Sequence, residues 1–128
     1  HRAFNINLTG ITPKMTFNAP RFKDVFPEIK KRLDGNVVIA HNESFDRSVM
    51  KKCMETAKIP LGMLKVPVKW ICTRKIYKKH NKEPKCSLGD LCPKYKIELD
   101  HHQAISDARG CGWLYHKYLK KNGVYDRV

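Results

Sequence analysis

The amino-acid sequence predicts an α/β domain in which short strands alternate with helices. Two β-like runs, Asn36 to Ala40 and Val68 to Cys72, are each followed by a segment with helix-forming signals. The chain of 128 residues has room for one core, and it contains no internal repeat, low-complexity run or linker. We therefore expect residues 1–128 to form a single domain.

Helix-start signals precede the first strand. Thr12-Pro13 and Asn18-Ala19-Pro20 each combine a capping residue with an early proline. Apolar residues then recur at helical spacing from Phe22 to Leu33, and Gly35 ends the run. Because Pro27 should break or kink this run, we predict two short helices here and not one.

Two longer helices are expected, each with an apolar face. The first follows the first strand, ends before Pro60, and carries Phe45, Val49, Cys53 and Ala57 on one face. The second runs from Gln103 to about Lys121, with Ala104, Ala108, Cys111, Leu114, Tyr115 and Tyr118 facing inward. Between them, Thr73 can cap a short helix, and Ser87 to Asp90 has the spacing of a capping-box start. Trp70 and Trp113 are assigned to packing.

The charge balance indicates a polyanionic partner. Lys and Arg together number 26 against 12 Asp and Glu, so the formal net charge is +14. The basic residues fall in short clusters without the interleaved aromatic residues that stack single-stranded bases. Ordinary solvated helix faces explain any one cluster about as well as nucleic-acid binding does.

The five cysteines are odd in number and lack paired short spacings, so we expect reduced, mostly buried thiols. A zinc site built from His80, Cys86, Cys92 and His101 is an alternative that this spacing does not favour. The longest aliphatic run, Val37 to Ala40, is far too short to span a membrane. No membrane partner and a cytoplasmic location are therefore expected.

Two polar segments carry the candidate chemistry. His102 to Asp107 places an acid/base ahead of an aspartate at the start of the last helix, and His41 to Asp46 places an aspartate in the first turn of the helix after the first strand. At the carboxyl end of a sheet, Asp46 and Asp107 would converge and suit Mg²⁺ or Mn²⁺. The other explanation for Asp46 is stabilisation of the helix dipole, worth about half a kcal/mol.

In order and separation, these segments resemble the motifs of the DEDDh 3′–5′ exonucleases, which include the proofreading subunit of bacterial replicative DNA polymerase. His41 to Asp46 resembles the second motif, Asn-x-x-Phe-Asp, and His102 to Asp107 resembles the third, His-x-Ala-x-x-Asp. Asn5 to Thr12 resembles the stretch that follows the first motif. The resemblance covers essentially the whole chain and implies an RNase H-like fold with parallel strands.

The resemblance also implies roles for single residues. Asp46 and Asp107 match ligands of a pair of Mg²⁺ or Mn²⁺ ions, and His102 matches the general base that takes a proton from the attacking water. His101 lacks the required spacing to Asp107 and is expected to be a surface or supporting residue.

The substrate contacts implied by the resemblance lie in the same segments. His41, Asn42 and Phe45 would sit beside the terminal nucleotide, and the turn Thr9-Gly10-Ile11 would approach its sugar and base. Thr9 stands where many relatives have histidine. A core position is the alternative for Phe45, because it also begins the apolar stripe of its helix.

The sequence also departs from the family at the first motif, an Asp-x-Glu pair on the opening strand, which is absent. We therefore expect a fragment that lacks the first strands of the central sheet and is inactive by itself. Its parent would remove nucleotides from single-stranded DNA 3′ ends, and a DNA polymerase subunit is a candidate partner. The alternatives are a catalytically incompetent nucleic-acid-binding or polymerase-associated module with the same fold, and an exonuclease directed at RNA.

Overall fold

The computed structural model describes residues 11–64, 69–100 and 103–122. In chain order its elements are α1 (Pro13–Thr16), α2 (Phe22–Leu33), β1 (Val37–Ala40), α3 (Glu43–Thr56), a 3₁₀ turn (Leu61–Met63), β2 (Lys69–Cys72), α4 (Thr73–Lys79), α5 (Leu88–Lys94) and α6 (Ala104–Lys121). The predicted α/β class is confirmed as a mixed architecture of helices around a small parallel sheet. None of the helices within these residues is long and apolar enough to cross a membrane.

In the described residues, the sheet consists of β1 and β2, which pair in parallel. Val37 lies opposite Lys69, and Ala40 lies opposite Cys72. The two strands therefore end at one edge, and α3 and α4 begin within a few residues of it. This carboxyl edge determines which side chains meet at the candidate site.

The sequence predicted how α1 begins but misjudged α2. Thr12 caps α1 by accepting a hydrogen bond from the Met15 backbone N–H at 3.3 Å, with Pro13 in the first turn. The prediction of two short helices around Pro27 was wrong, because α2 is one helix of 12 residues. Pro27 removes one backbone hydrogen bond, but burial of Phe26 holds the helix against the protein and offsets that loss. The helix ends at the expected place, where Gly35 adopts a left-handed conformation with φ of 73°.

The closed part of the core lies where α4, α5 and α6 meet. Tyr77, Leu91, Cys92 and Leu114 are fully buried there. The Tyr77 hydroxyl donates a hydrogen bond to the Leu114 carbonyl at 2.7 Å, and burial raises the pKa of Tyr77 to about 12. A Cβ at Gly110 would lie about 3.2 Å from the Cys92 sulfur, so glycine allows α6 to approach α5 closely.

The capping predictions for the two short helices had different outcomes. Ser87 caps α5 as expected, because its hydroxyl accepts a hydrogen bond from the Asp90 backbone N–H at 3.1 Å. The prediction for Thr73 was off by one residue. Cys72 occupies the cap position of α4, and Thr73 is the first helical residue and is fully buried. Its hydroxyl serves tertiary contacts and not a helix cap.

The cysteines are free thiols, as predicted. Cys72, Cys86, Cys92 and Cys111 are buried, and Cys53 is partly buried. Among the described residues no group of three or more His, Cys, Asp or Glu side chains could hold a metal ion. His101, one of the four ligands in the zinc alternative, lies outside the described residues.

The apolar face predicted for α3 is only partly covered, because Cys53 and Ala57 are partly buried. Phe45 is 63% exposed and Val49 is 43% exposed, whereas Glu43 and Met54 are buried. The helix contacts α2, both strands and the 3₁₀ turn. Periodicity predicts that a helix has a face, but the neighbouring elements decide which face is covered.

Part of the prediction for α6 and the tryptophans also failed. Cys111 and Leu114 are buried as expected, but Ala104 and Ala108 are exposed. Trp113 is 55% exposed, so its assignment to packing was wrong. Trp70 is partly buried, with the Arg47 guanidinium 5.9 Å from its ring centroid.

Candidate active site

A cavity of about 360 Å³ opens at the carboxyl end of β1, between α3 and α6. Asp46 of α3 and Asp107 of α6 both line it, together with His41 and Phe45. The fold therefore brings together the two aspartates that the sequence singled out. We call this space the carboxylate cavity.

The turn between β1 and α3 places Asp46. Asn42 has φ of 70° and ψ of 59°, a left-handed conformation that asparagine tolerates better than most residues. The Phe45 backbone N–H donates to the Asn42 carbonyl at 3.0 Å, which starts the helix directly after the strand. Asp46 consequently lies in the first turn of α3, beside the edge of the sheet.

Asp107 enters the carboxylate cavity from a better packed element. It lies in the first turn of α6, where its backbone N–H donates to the Gln103 carbonyl at 3.1 Å. The side chain is half-buried, and its Oδ1 atom is buried. The negative charge of Asp107 adds to burial in raising the pKa of the Cys92 thiol. The carboxylate thus stands against the closed core.

The ring of His41 connects three parts of the site. Its Nδ1 lies 2.8 Å from the Thr73 hydroxyl, and its Nε2 is hydrogen-bonded to the Cys86 carbonyl. Because a carbonyl only accepts, Nε2 carries the proton, and Nδ1 of the neutral ring accepts from Thr73. Burial lowers the pKa of His41, and the charge of Arg74 lowers it further. His41 is therefore neutral at pH 7 and joins β1 to α4 and to the loop before α5.

That loop is held by Glu83, which the sequence reading did not single out. The buried Glu83 carboxylate accepts hydrogen bonds from Lys94 at 2.6 Å and from the Tyr95 hydroxyl at 2.8 Å, and these bonds hold the pKa of Glu83 below its usual range. The Cys86 thiol donates to the Glu83 carbonyl at 3.2 Å. Glu83 thereby positions the segment whose carbonyl contacts His41. No local sequence signal indicates this, because the partners lie in other elements.

Asp46 lies near a second carboxylate, that of Glu43. Partial burial raises the pKa of Asp46, and the nearby Glu43 carboxylate raises it further. Glu43 is itself buried and forms ion pairs with Lys75 at 3.2 Å and Arg47 at 3.6 Å. Glu43 was missed by the sequence reading, although it lies three residues before Asp46, on the same side of the helix. A bound cation would relieve the repulsion between the two carboxylates.

The remaining predicted site residues are placed as follows. Phe45 lines the carboxylate cavity and is largely exposed, and Asn42 is exposed at the start of α3. Ile11 is 43% exposed and does not line this cavity. The other three, Thr9, Gly10 and His102, lie outside the described residues, as does His101.

The residues of the carboxylate cavity fit a divalent cation in type. Carboxylate oxygens are the ligands that Mg²⁺ and Mn²⁺ prefer in proteins. Burial raises the pKa of Asp46 and the Glu43 carboxylate raises it further, and a bound cation would favour the ionised form. Within the described part of the chain, Asp46 and Asp107 supply two candidate ligands, and no cluster of three forms.

Comparison with known proteins identifies the family. Residues 2–114 match the exonuclease family RNase_T, a range that includes both aspartates. The chain belongs to this family. The resemblance to exonuclease motifs is thereby confirmed at the family level, and the chain represents an exonuclease domain.

Curated relatives of this exonuclease domain carry the name DNA polymerase III PolC-type. Identity is 33% to the protein of Bacillus subtilis (strain 168) and 37% to that of Halalkalibacterium halodurans, each over 90% of this chain. It is 30% to the protein of Streptococcus sanguinis (strain SK36), over 95% of this chain. The chain spans about 8% of the length of each of these relatives.

Proposed function

We propose that this exonuclease domain belongs to a protein that hydrolyses phosphodiester bonds of DNA from the 3′ end with two divalent metal ions, in an RNase H-like fold. The observation that carries the proposal is the meeting of Asp46 and Asp107 in one cavity at the carboxyl end of β1. Membership of the exonuclease family supports nuclease activity. The relatives' name supports DNA as the substrate and a DNA polymerase as the partner, with both in the cytoplasm where bacterial DNA is replicated.

In this proposal Asp46 and Asp107 hold Mg²⁺ or Mn²⁺. Such ions supply positive charge against the phosphate and stabilise the charge that develops during hydrolysis. The two carboxylates stand on different helices, so the separation of the ligands depends on how α3 and α6 pack against β1.

Other residues of the domain bind and orient the strand. The exposed ring of Phe45 contacts the terminal nucleotide, with Asn42 and the turn Thr9-Gly10-Ile11 completing the substrate end. His41, whose ring nitrogens are both hydrogen-bonded within the protein, acts by supporting the floor of the cavity. His102 takes a proton from the attacking water, which suits an imidazole that titrates near neutrality.

The test uses the protein at its natural length and measures release of nucleoside monophosphates from a labelled single strand. Asp46→Ala and Asp107→Ala should each lower turnover by about 10²-fold or more, because a bound metal ion contributes several kcal/mol to stabilising the transition state. Asp24→Ala is the matched control, since Asp24 is also acidic in the first turn of a helix. Mn²⁺ binding should weaken in the first two variants only. Equal effects in all three would remove the basis of the proposal.

The general-base role has its own test in the same protein. His102→Ala should lower turnover by about 10²- to 10⁴-fold while leaving Mn²⁺ affinity nearly unchanged. His101→Ala is the adjacent control and should lose far less. A larger loss for His101→Ala would show that the motif register is wrong.

The two alternatives are separated by the same assays. The 128-residue chain alone should show negligible turnover, because it lacks the Asp-x-Glu pair. Robust turnover that Asp107→Ala abolishes would show that the remaining carboxylates suffice. If the natural-length protein binds strands but never cleaves them, it is a binding module, and faster cleavage of RNA than of DNA would identify an RNA-directed enzyme.

A further inference from the structure

A second cavity, of about 580 Å³, lies along α6 and is lined by positive charge. Lys96, Arg109 and Lys117 contribute three cations to it, and Glu98 is the acidic residue of its described lining. We call this cavity the basic groove. Its volume is in the range of pockets that hold small organic ligands, which suits a nucleotide.

Trp113 lies in the basic groove between two of these cations. It is 55% exposed, with Arg109 one turn before it and Lys117 one turn after it on the same side of α6. The His116 ring lies perpendicular to the indole at a centroid distance of 5.4 Å, an edge-to-face arrangement that restricts the indole's rotation. Because the indole is already restricted, stacking a base on it costs less side-chain entropy than stacking on a mobile ring.

Packing does not explain an exposed tryptophan at this position. The next residue, Leu114, is fully buried and fastens α6 to the core, so Trp113 is not needed there. Isolated exposed lysines need no partner, but a large aromatic ring between cations leaves apolar surface in water. Cations that follow a phosphate backbone and an aromatic ring that stacks a base are the combination used to bind single-stranded nucleic acid.

The basic groove and the carboxylate cavity share α6 but lie on different sides of it. Trp113 follows Asp107 by six residues, which corresponds to about 240° around a helix. At the start of α6 the linings of the two cavities are neighbours along the chain, because Ser106 lines the groove and the adjacent Asp107 lines the carboxylate cavity. A strand that passes the start of α6 can reach both.

We propose that the basic groove is an auxiliary binding site for single-stranded DNA, in which a base stacks on Trp113 and phosphates contact Lys96, Arg109 and Lys117. The choice of DNA rests on the proposed function. Strand binding in the groove does not require hydrolysis or a metal ion.

Stacking of a base on Trp113 is tested in the 128-residue chain with a chelator present. The chain contains two tryptophans, so Trp70→Phe leaves Trp113 as the only indole. A short oligothymidylate should quench its fluorescence. Trp113→Ala should weaken binding of the labelled oligonucleotide by roughly 5- to 150-fold, the equivalent of one lost base stack. Trp113→Phe should retain most of the affinity and also shows that the fold tolerates substitution here.

The proposed phosphate contacts are tested with two lysines that occupy matching backbone positions. Lys96 has φ of 58° just after α5, and Lys58 has φ of 56° just after α3, but Lys58 does not line the groove. Combining Lys96→Gln with Lys117→Gln should reduce the slope of log affinity against log salt by about 1.4, from two phosphate contacts at about 0.7 each. Combining Lys58→Gln with Lys79→Gln removes the same charge elsewhere and should leave the slope nearly unchanged.

Two results would overturn the proposal. One is equal loss of slope in both double variants, which would mean that the charge acts diffusely. The other is unchanged DNA affinity in Trp113→Ala, which would mean that no base stacks on this ring. Neither measurement depends on cleavage of the strand. If the groove binds DNA but the natural-length protein does not cleave it, only the proposed function is contradicted.

Discussion

The two walls of the carboxylate cavity are packed very differently. Asp107 stands on α6, where Cys111 and Leu114 are buried against the closed core. Asp46 stands on α3, where the neighbouring Phe45 is 63% exposed. One candidate metal ligand is therefore held by a closed core, and the other is carried by a helix with an open apolar face.

This contrast shows that a binding site need not be equally rigid on all sides. Regions with few buried apolar contacts open at lower free-energy cost than a closed core. On the α3 side, the buried Glu43 and its ion pairs help to hold the helix in place, whereas on the α6 side apolar packing does this. We expect Asp107 to be held firmly and the position of Asp46 to adjust more readily on cation binding.

The largest expected effect tests the packing contrast directly. Leu114→Ala should lower the free energy of unfolding by about 2–5 kcal/mol, because it leaves a cavity in a closed core. Val49→Ala on the open face of α3 should cost less than about 1 kcal/mol. Urea unfolding of both variants measures the difference. Comparable losses would mean that the α3 side is as tightly packed as the α6 side.

A smaller effect is expected where His41 joins the two walls. His41→Asn should cost about 1–3 kcal/mol, because the Cys86 carbonyl loses its donor. The pKa of folded His41 lies below the ordinary value of 6.5, so the unfolded chain takes up its proton first as pH falls. The contribution of neutral His41 to the free energy of unfolding is therefore complete well above pH 6.5. It is lost as pH falls from 6.5 toward the lower pKa of folded His41.

The measurement is urea unfolding of the original chain and of His41→Asn at several values between about pH 7 and about pH 5. The original chain should lose more stability than the variant across this range. Parallel losses would mean that His41 does not titrate differently in the folded and unfolded states.

The smallest expected effect concerns Asp46. Its raised pKa means that the ionised side chain is less favourable in the folded than in the unfolded chain at neutral pH. Asp46→Asn should therefore stabilise the fold, by less than about 1 kcal/mol because the side chain is largely exposed. The advantage should shrink as pH falls from the pKa of folded Asp46 toward the ordinary value of 3.8, and it should vanish below that value, where Asp46 is protonated in both the folded and the unfolded chain. Thermal unfolding at neutral and acidic pH measures it, and a less stable variant would contradict the prediction.

Local chemistry explains the sequence predictions that held. The four-residue strand β1, the cap at Ser87 and the left-handed Gly35 each depend on residues within a few positions of one another. The meeting of Asp46 and Asp107 was also foreseen, because residues that follow parallel strands or begin the next helices gather at one edge of a sheet.

The predictions that failed depended on neighbours distant in the sequence. Pro27 was expected to divide a helix that the burial of Phe26 keeps whole. Trp113 was assigned to packing by its apolar character, and a core position was the alternative for Phe45, yet both side chains are mostly exposed. Glu83 went unnoticed because its partners Lys94 and Tyr95 come from another element.

The sequence by itself determined the strands, most helix boundaries and the family, and it predicted which carboxylates would hold a metal ion. These properties follow from short-range spacing, from capping and from the order of motifs along the chain. Only the tertiary structure decided that one wall of the carboxylate cavity is closed and the other open, and that Trp113 lies exposed among cations on α6. The physical reason is that burial, and with it each pKa shift, depends on which elements pack together, whereas periodicity describes one element at a time.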